Sequence, residues 1–253
     1  MSKRPWIFFD LDDTLWDFSS ASLKSLRFIF DTEKKVRDLF VDFDSFISCY
    51  HDHNAILWDK YSRGEITSDK LRSERWRLTL FPHLLSEETK NEAMKIDCAY
   101  LDYLSSLPDI VEGADVLLKE LSQSNLIGII SNGFAGIQYR KLFSSGLWKH
   151  ITRCIISEEI GIAKPDKRIF EYAIEETGTS YPPLMIGDNF NTDIIGALRS
   201  GWKAVWYCPN GQHSAEDISA KLTQLGEYTG ELIGVATNMA QISQIISSMK
   251  ISS

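Results

Sequence analysis

Four bulky apolar residues, Trp6-Ile7-Phe8-Phe9, run straight into Asp10-Leu11-Asp12-Asp13-Thr14, and this junction limits the folds open to the chain more than any other stretch. The run is too short for a helix and rich in strand formers, so it predicts a strand buried on both faces. Its end on acidic residues delivers two carboxylates, Asp10 and Asp12, to the C-terminal tip of that strand. On this stretch alone a second reading stays open, because aspartate is a common turn former. A calcium loop of the D-x-D-x-D-G type fits poorly, since Thr14 and Leu15 stand where the third ligand and the turn glycine belong.

Residues 18–106 show helical periodicity and little that resembles a strand. Leu23, Leu26 and Phe30 mark one apolar stripe, Phe46, Tyr50, Leu57 and Tyr61 a second, and Met94, Leu101 and Leu104 with Tyr100 a third. Ser45 and Ser68 or Asp69 are expected caps, and Arg63-Gly64 separates two helices. Trp58, Tyr61 and Trp76 are expected in the core of this helical block. From Pro108 strands and helices alternate, which predicts a mostly parallel sheet flanked by helices. The strands are expected at 126–130, 154–156, 184–186 and 204–207, with an edge strand at 233–236 and a final helix carrying Ile242, Ile245, Ile246 and Met249. The division is therefore 1–16 with 108–253 as an α/β core, and 17–107 as an all-helical insertion.

Composition narrows the function. The chain has 253 residues, 43% of them hydrophobic and 25% charged, enough for a substantial core and with no push toward disorder. A net charge of -8 argues against nucleic acid as a partner, because backbone binding needs clustered Lys and Arg. The basic start, Met1-Ser2-Lys3-Arg4, precedes an apolar run too short for a secretory leader, and no stretch reaches membrane-span length. The expectation is a cytoplasmic protein without a membrane partner. Cys49, Cys98, Cys154 and Cys208 are scattered and read as reduced buried thiols, and His51 and His53 as surface or packing residues.

In an open parallel sheet, ligands bind beyond the C-terminal ends of the strands. Those ends carry Asp10 and Asp12, then Ser131 and Asn132, then Lys164 in a longer exit loop, then Asp188 and Asp193. Four carboxylates gathered in one pocket repel one another unless a cation sits among them. With no His or Cys in the set, the natural ion is Mg2+, which also accepts phosphate oxygens as ligands. Lys164 supplies positive charge, while Ser131 with its neighbouring backbone N–H groups supplies donors to anionic oxygens. Such a pocket suits attack of a carboxylate on a phosphate ester, with Asp10 as nucleophile and Asp12 protonating the leaving oxygen, then activating water.

Asp10-Leu11-Asp12-Asp13-Thr14, Ser131-Asn132, Lys164-Pro165 and Gly187-Asp188-(x)4-Asp193 together resemble the four motifs of the haloacid dehalogenase superfamily. The resemblance implies a Rossmann-like, doubly wound core with a helical cap, a Mg2+ cofactor and an aspartyl-phosphate intermediate. It implies that Asp10, the backbone carbonyl of Asp12, and Asp188 bind the metal, that Ser131 and Lys164 hold phosphate, and that Asp193 supports the metal waters or Lys164. Thr14 is expected to brace the loop. The dehalogenase branch proper lacks the second aspartate of the first motif, so Asp12 favours a phosphatase.

Finer strings, among them Ile130-Ser131-Asn132-Gly133-Phe134 and the stretch from Ile156-Ser157-Glu158-Glu159 to Lys164-Pro165, are similar to the pyrimidine 5′-nucleotidase group. That similarity implies a nucleoside 5′-monophosphate as the small phosphorylated substrate, with Phe18, Asn132 and Phe134 as candidate contacts. Rival readings are a sugar-phosphate phosphatase, a phosphoglucomutase-type phosphotransferase, and a non-catalytic phosphate-binding module.

Overall fold

The strand at the start of the chain, β1 (Trp6–Phe9), buries all of its side chains because it becomes the interior strand of a six-stranded sheet. The computed structural model of the chain describes residues 4–209, 211, 215–224 and 226–249. Met1, Ser2 and Lys3 of the basic start and part of the polar stretch beginning at Asn210 lie outside the described residues. The remaining strands are β2 (Leu126–Ser131), β3 (Arg153–Ile156), β4 (Leu184–Gly187), β5 (Lys203–Tyr207) and β6 (Glu231–Ala236). Their order is β3-β2-β1-β4-β5-β6 and every pairing is parallel.

The register explains why one edge of this sheet carries chemistry. Phe9 pairs with Ile129 of β2 and with Ile186 of β4, so all three strands run out within a residue or two of one another. Asp10, Ser131 and Asp188 therefore emerge side by side. The order reverses at β1, with the chain walking outward through β2 and β3 on one side and β4 to β6 on the other. This is the switch point at which open α/β sheets bind ligands.

The chain divides into two compact units, one from the residues up to Phe18 together with those from Pro108 onward, the other from Ser19–Leu107. The second unit holds most of α1 (Phe18–Thr32), then α2 (Lys34–Leu39), α3 (Phe43–Ser62), α4 (Ser68–Leu80) and α5 (Glu87–Ser106). Its core is aromatic: Phe46, Tyr50, Trp76 and Tyr100 are buried, with ring centroids 4.9 Å apart for Tyr50 and Trp76 and 5.6 Å for Trp76 and Tyr100. Trp58 and Tyr61 are only half-buried. Leu23 does not join the stripe read from the sequence, since it is 48% exposed; Ile29 and Ser25 take the inward positions beside Leu26. The helix starts also shift by a residue or more. Asp42 caps α3 with Ser45 as its reciprocal partner, and Thr67 caps α4, because the residue whose side chain accepts the N3 amide must precede the first helical turn.

Around the sheet lie α6 (Ala114–Leu121), α7 (Ala135–Ser144), the short α8 (Ser157–Ile160), α9 (Lys167–Thr177), α10 (Ile195–Arg199), α11 (Ala215–Gln224) and α12 (Met239–Met249). Phe8, Phe170 and Trp202 pack at centroid distances of 5.2 Å and anchor the core on one sheet face. The loop leaving β3 is not wholly irregular, for it opens with α8, and Phe190–Ile194 forms a π-helical turn ahead of α10. The thiols depart from expectation too: Cys98 is exposed and the other three are half-buried, all four being free. Among the described residues no helix is long and apolar enough to cross a membrane.

Candidate active site

Asp10 is the first residue past β1, and its N–H still donates to the Ile186 carbonyl at 2.9 Å, so the sheet holds its backbone. The chain then turns tightly: the Leu11 carbonyl accepts from Leu15 and Trp16, both at 2.9 Å, and Asp13 takes the left-handed conformation at φ 56°, which aspartate tolerates better than most residues. Thr14 is fully buried and braces Asp188. Its hydroxyl oxygen accepts from the Asp188 N–H at 3.0 Å and donates to Asp188 Oδ1 at 3.2 Å.

Lys164 reaches the same point from the loop before α9. Its Nζ lies 2.5 Å from Asp10 Oδ1 and 2.7 Å from Asp193 Oδ1, and the residue is 3% exposed. Asn132 fastens the Lys164 backbone, accepting from its N–H at 2.8 Å and donating to its carbonyl at 2.9 Å. The Asn132 side chain thus brackets the Lys164 backbone from both sides of its amide. Asp193 accepts from the Asn189 N–H at 3.1 Å through Oδ2. That oxygen would sit 2.2 Å from a Cβ at position 187, so only glycine lets Asp193 approach β4. The Trp206 indole N–H donates to the Asp188 carbonyl at 2.8 Å and supports the loop from the β5 side.

Asp10, Asp188 and Asp193 each offer a carboxylate oxygen within 4.8 Å of the others. Burial raises the Asp10 pKa well above the ordinary carboxylate range; Lys164 opposes this, and Asp193, Asp188 and Asp12 add repulsion. Burial followed by the Asp193 charge pushes Asp188 up to about 6. For Lys164, burial alone would lower the pKa, but Asp10 and Asp193 override it and hold the group as an ammonium. These directions share one cause, a single ammonium among three carboxylates in a poorly solvated site.

Asp12 has a separate set of partners. Its Oδ1 accepts from Lys141 Nζ at 2.7 Å and its Oδ2 from Gln138 Nε2 at 3.0 Å. Gln138 Nε2 also donates to Ser131 Oγ at 2.5 Å. Gln138 and Lys141 lie one turn apart on α7 and are buried at 0% and 2% exposure. The reading from sequence missed both. The available signal was their spacing: polar residues three apart, interleaved with Ile137 and Leu142 on the buried face, are unusual unless they meet a partner. Phe18 is half-buried and Phe134 buried, Phe134 immediately preceding α7.

A parallel sheet whose switch point holds an acidic strand tip, a buried lysine and a second acidic loop defines a class of hydrolase. The chain belongs to the haloacid dehalogenase-like hydrolase family, whose profile matches residues 5–201. It is 32% identical over 231 residues to the pyrimidine 5′-nucleotidase YjjG of Escherichia coli K12, an alignment covering 87% of this chain and 93% of that protein. It is 28% identical over 208 residues to the pyrimidine 5′-nucleotidase PynA of Streptococcus pneumoniae, covering 81% and 84%. Among solved structures, the HAD-hydrolase YfnB of Bacillus subtilis bound to magnesium superposes with a TM-score of 0.77 at 24% identity, covering 97% of this chain and all of that one.

Proposed function

We propose that this haloacid dehalogenase-type phosphatase is a Mg2+-dependent phosphomonoesterase of nucleoside 5′-monophosphates that works through an aspartyl-phosphate on Asp10. The observation that carries the reading is the excess of carboxylate around one buried ammonium: Asp10, Asp188 and Asp193 converge, and among the described residues Lys164 is the cation paired with them. The donor set is all oxygen and short of positive charge, which fits a hard divalent ion. Asp10 and Asp188 would hold that ion with the backbone carbonyl of Asp12, whose carboxylate is turned toward Lys141 and Gln138. Asp193, tied to Lys164 and Asn189, supports the arrangement from behind. When bound, Mg2+ supplies charge neutralisation to the phosphoryl oxygens.

The chain's own groups divide the remaining work. Lys164 and the Ser131 hydroxyl bind phosphate oxygens, and Asn132 keeps Lys164 in place. Asp10 attacks phosphorus in line; Asp12 gives a proton to the leaving ribose oxygen and takes one from the water that cleaves the intermediate. The names of YjjG and PynA support a pyrimidine nucleotide as substrate. A panel of nucleoside monophosphates and sugar phosphates, assayed for released inorganic phosphate with and without EDTA, tests this. Release from pyrimidine 5′-monophosphates that needs Mg2+ is expected; activity surviving EDTA, or equal activity on sugar phosphates, would overturn the metal or the substrate assignment respectively.

A further inference from the structure

We propose that Lys141 and Gln138 act as a positioning pair that aims the Asp12 carboxyl and the Ser131 hydroxyl at one phosphate ester, so that Lys141 governs protonation of the leaving group. The proposal rests on the phosphomonoesterase reading above. Lys141 is an ammonium buried almost completely, and its ion pair with Asp12 is lopsided: the lysine side chain is 3% exposed while that of Asp12 is 30% exposed. The lysine therefore grips the carboxylate from the protein side and leaves its outer face open to a ligand. Burying a cation is unfavourable without strong partners. Here the partners are Asp12 Oδ1 at 2.7 Å and the faces of Trp16 and Phe18, with Nζ 4.6 Å and 5.2 Å from the ring centroids. The aromatic walls confine the ammonium, so the carboxylate it holds is confined as well.

Gln138 adds the link to the phosphate-binding residue. Its Nε2 is shared between Asp12 Oδ2 at 3.0 Å and Ser131 Oγ at 2.5 Å. Ser131 Oγ also accepts from the Gly133 N–H at 3.3 Å. With two donors already aimed at its oxygen, the Ser131 hydroxyl keeps its own proton for an incoming phosphate oxygen. Turning the Gln138 amide over would set Oε1 against the Asp12 carboxylate, which can only accept, so the donor arrangement is the one Asp12 selects. Gly133 makes room for it, since a Cβ there would lie 2.5 Å from Gln138 Nε2.

The step this pair serves balances as follows. An Asp10 oxygen forms a bond to phosphorus as the ester P–O bond breaks, the bonding pair goes to the leaving oxygen, and the Asp12 carboxyl transfers its proton there. In the second half, water attacks phosphorus, Asp12 takes the water proton, and the Asp10–phosphorus bond breaks to release inorganic phosphate and restore the carboxylate. Only the first half depends on the acidity of the leaving group. Misaligning Asp12 should therefore penalise an ester with a basic alkoxide leaving group and spare one whose leaving group needs no proton.

The experiment compares kcat/KM, which reports steps through leaving-group departure, for a nucleoside 5′-monophosphate and for 4-nitrophenyl phosphate in the Mg2+-loaded enzyme. For Lys141→Met a loss of about 10²-fold is expected on the nucleotide and less than about 10-fold on the aryl ester, with Lys141→Arg recovering part of the difference. Gln138→Leu should show the same selectivity in weaker form together with a raised KM for both esters, and it carries the test if Lys141→Met does not fold. Equal losses on the two esters, or no loss, overturn the proposal while leaving the phosphatase reading intact. Wild-type enzyme that hydrolyses neither ester overturns the phosphatase reading and this inference with it.

Discussion

Two buried charge clusters, one in each unit of the chain, use similar residues to opposite ends. In the helical unit Asp97 is completely buried, and it accepts from Arg75 Nε at 2.8 Å, Arg75 NH2 at 2.6 Å and the Trp76 indole at 3.1 Å on one oxygen, and from Arg72 at 2.7 Å on the other. Every oxygen has its donor, and two cations face one anion. At the sheet edge the proportions invert: Lys164 pairs with Asp10 and Asp193, and Asp188 stands beside them as a third carboxylate. A cluster complete in itself braces a fold; a cluster short of one partner is waiting for it. What separates the two is the sign of the unmatched charge: two arginines share one carboxylate in the first, and three carboxylates gather near one lysine in the second.

The sharpest way to break this comparison is Asp10→Asn, expected to cost about 10⁴-fold or more in turnover while the thermal midpoint holds or rises, because a buried repulsion is relieved. A large fall in midpoint would mean that Asp10 is structural after all. Next in size, Asp97→Ala should lower the unfolding free energy by about 3–5 kcal/mol, the usual cost of orphaning a buried cation, read from denaturant midpoints; a change under about 1 kcal/mol would dismiss the bracing role. Adding Mg2+ to chelator-treated protein at about 100 times its Kd should stabilise it by about 2.7 kcal/mol, and Asp10→Asn should abolish that gain. The smallest effect is pH-dependent. Asp188 carries a pKa of about 6 in the folded chain against an ordinary 3.8, so in metal-free protein its contribution to stability is present below pH 3.8 and lost as pH rises through about 6. Asp188→Asn should therefore be more stable than wild type by about 1–3 kcal/mol at pH 7 and equal to it near pH 4. Equal midpoints at both pH values would remove the excess-carboxylate argument.

The parts of this molecule written in contiguous patterns could be read directly. The Trp6–Phe9 run, the strand ends after it and the helical block from 18 to 106 all follow from side-chain periodicity, which depends only on near neighbours along the chain. The family relationship was legible because each of its motifs sits where a strand stops. What escaped were contacts that α7 makes across the fold. Gln138 and Lys141 look like ordinary solvated residues until the helix is docked, and their meaning lies in Asp12, more than 120 positions away. For Asn132, nothing local shows that its amide bonds the Lys164 N–H and carbonyl, 32 positions away. Leu23 and the helix caps erred for the converse reason: propensity marks a face or a boundary within a residue or two, and tertiary packing settles which.

The strand order carries a consequence for how the chain comes to exist. β1 is made first but pairs with β2 and β4, so Asp10 meets Lys164 only across 154 positions and Thr14 meets Asp188 only across 174. The helical unit, by contrast, is built from the unbroken stretch Ser19–Leu107, with contacts between successive helices that close at little entropic cost. During synthesis the inserted unit can fold early, while the first strand waits with one edge open until Leu184–Gly187 has left the ribosome. The site at its tip is thus a late event in the life of each molecule, and activity should appear in nascent chains only after β4 has been delivered.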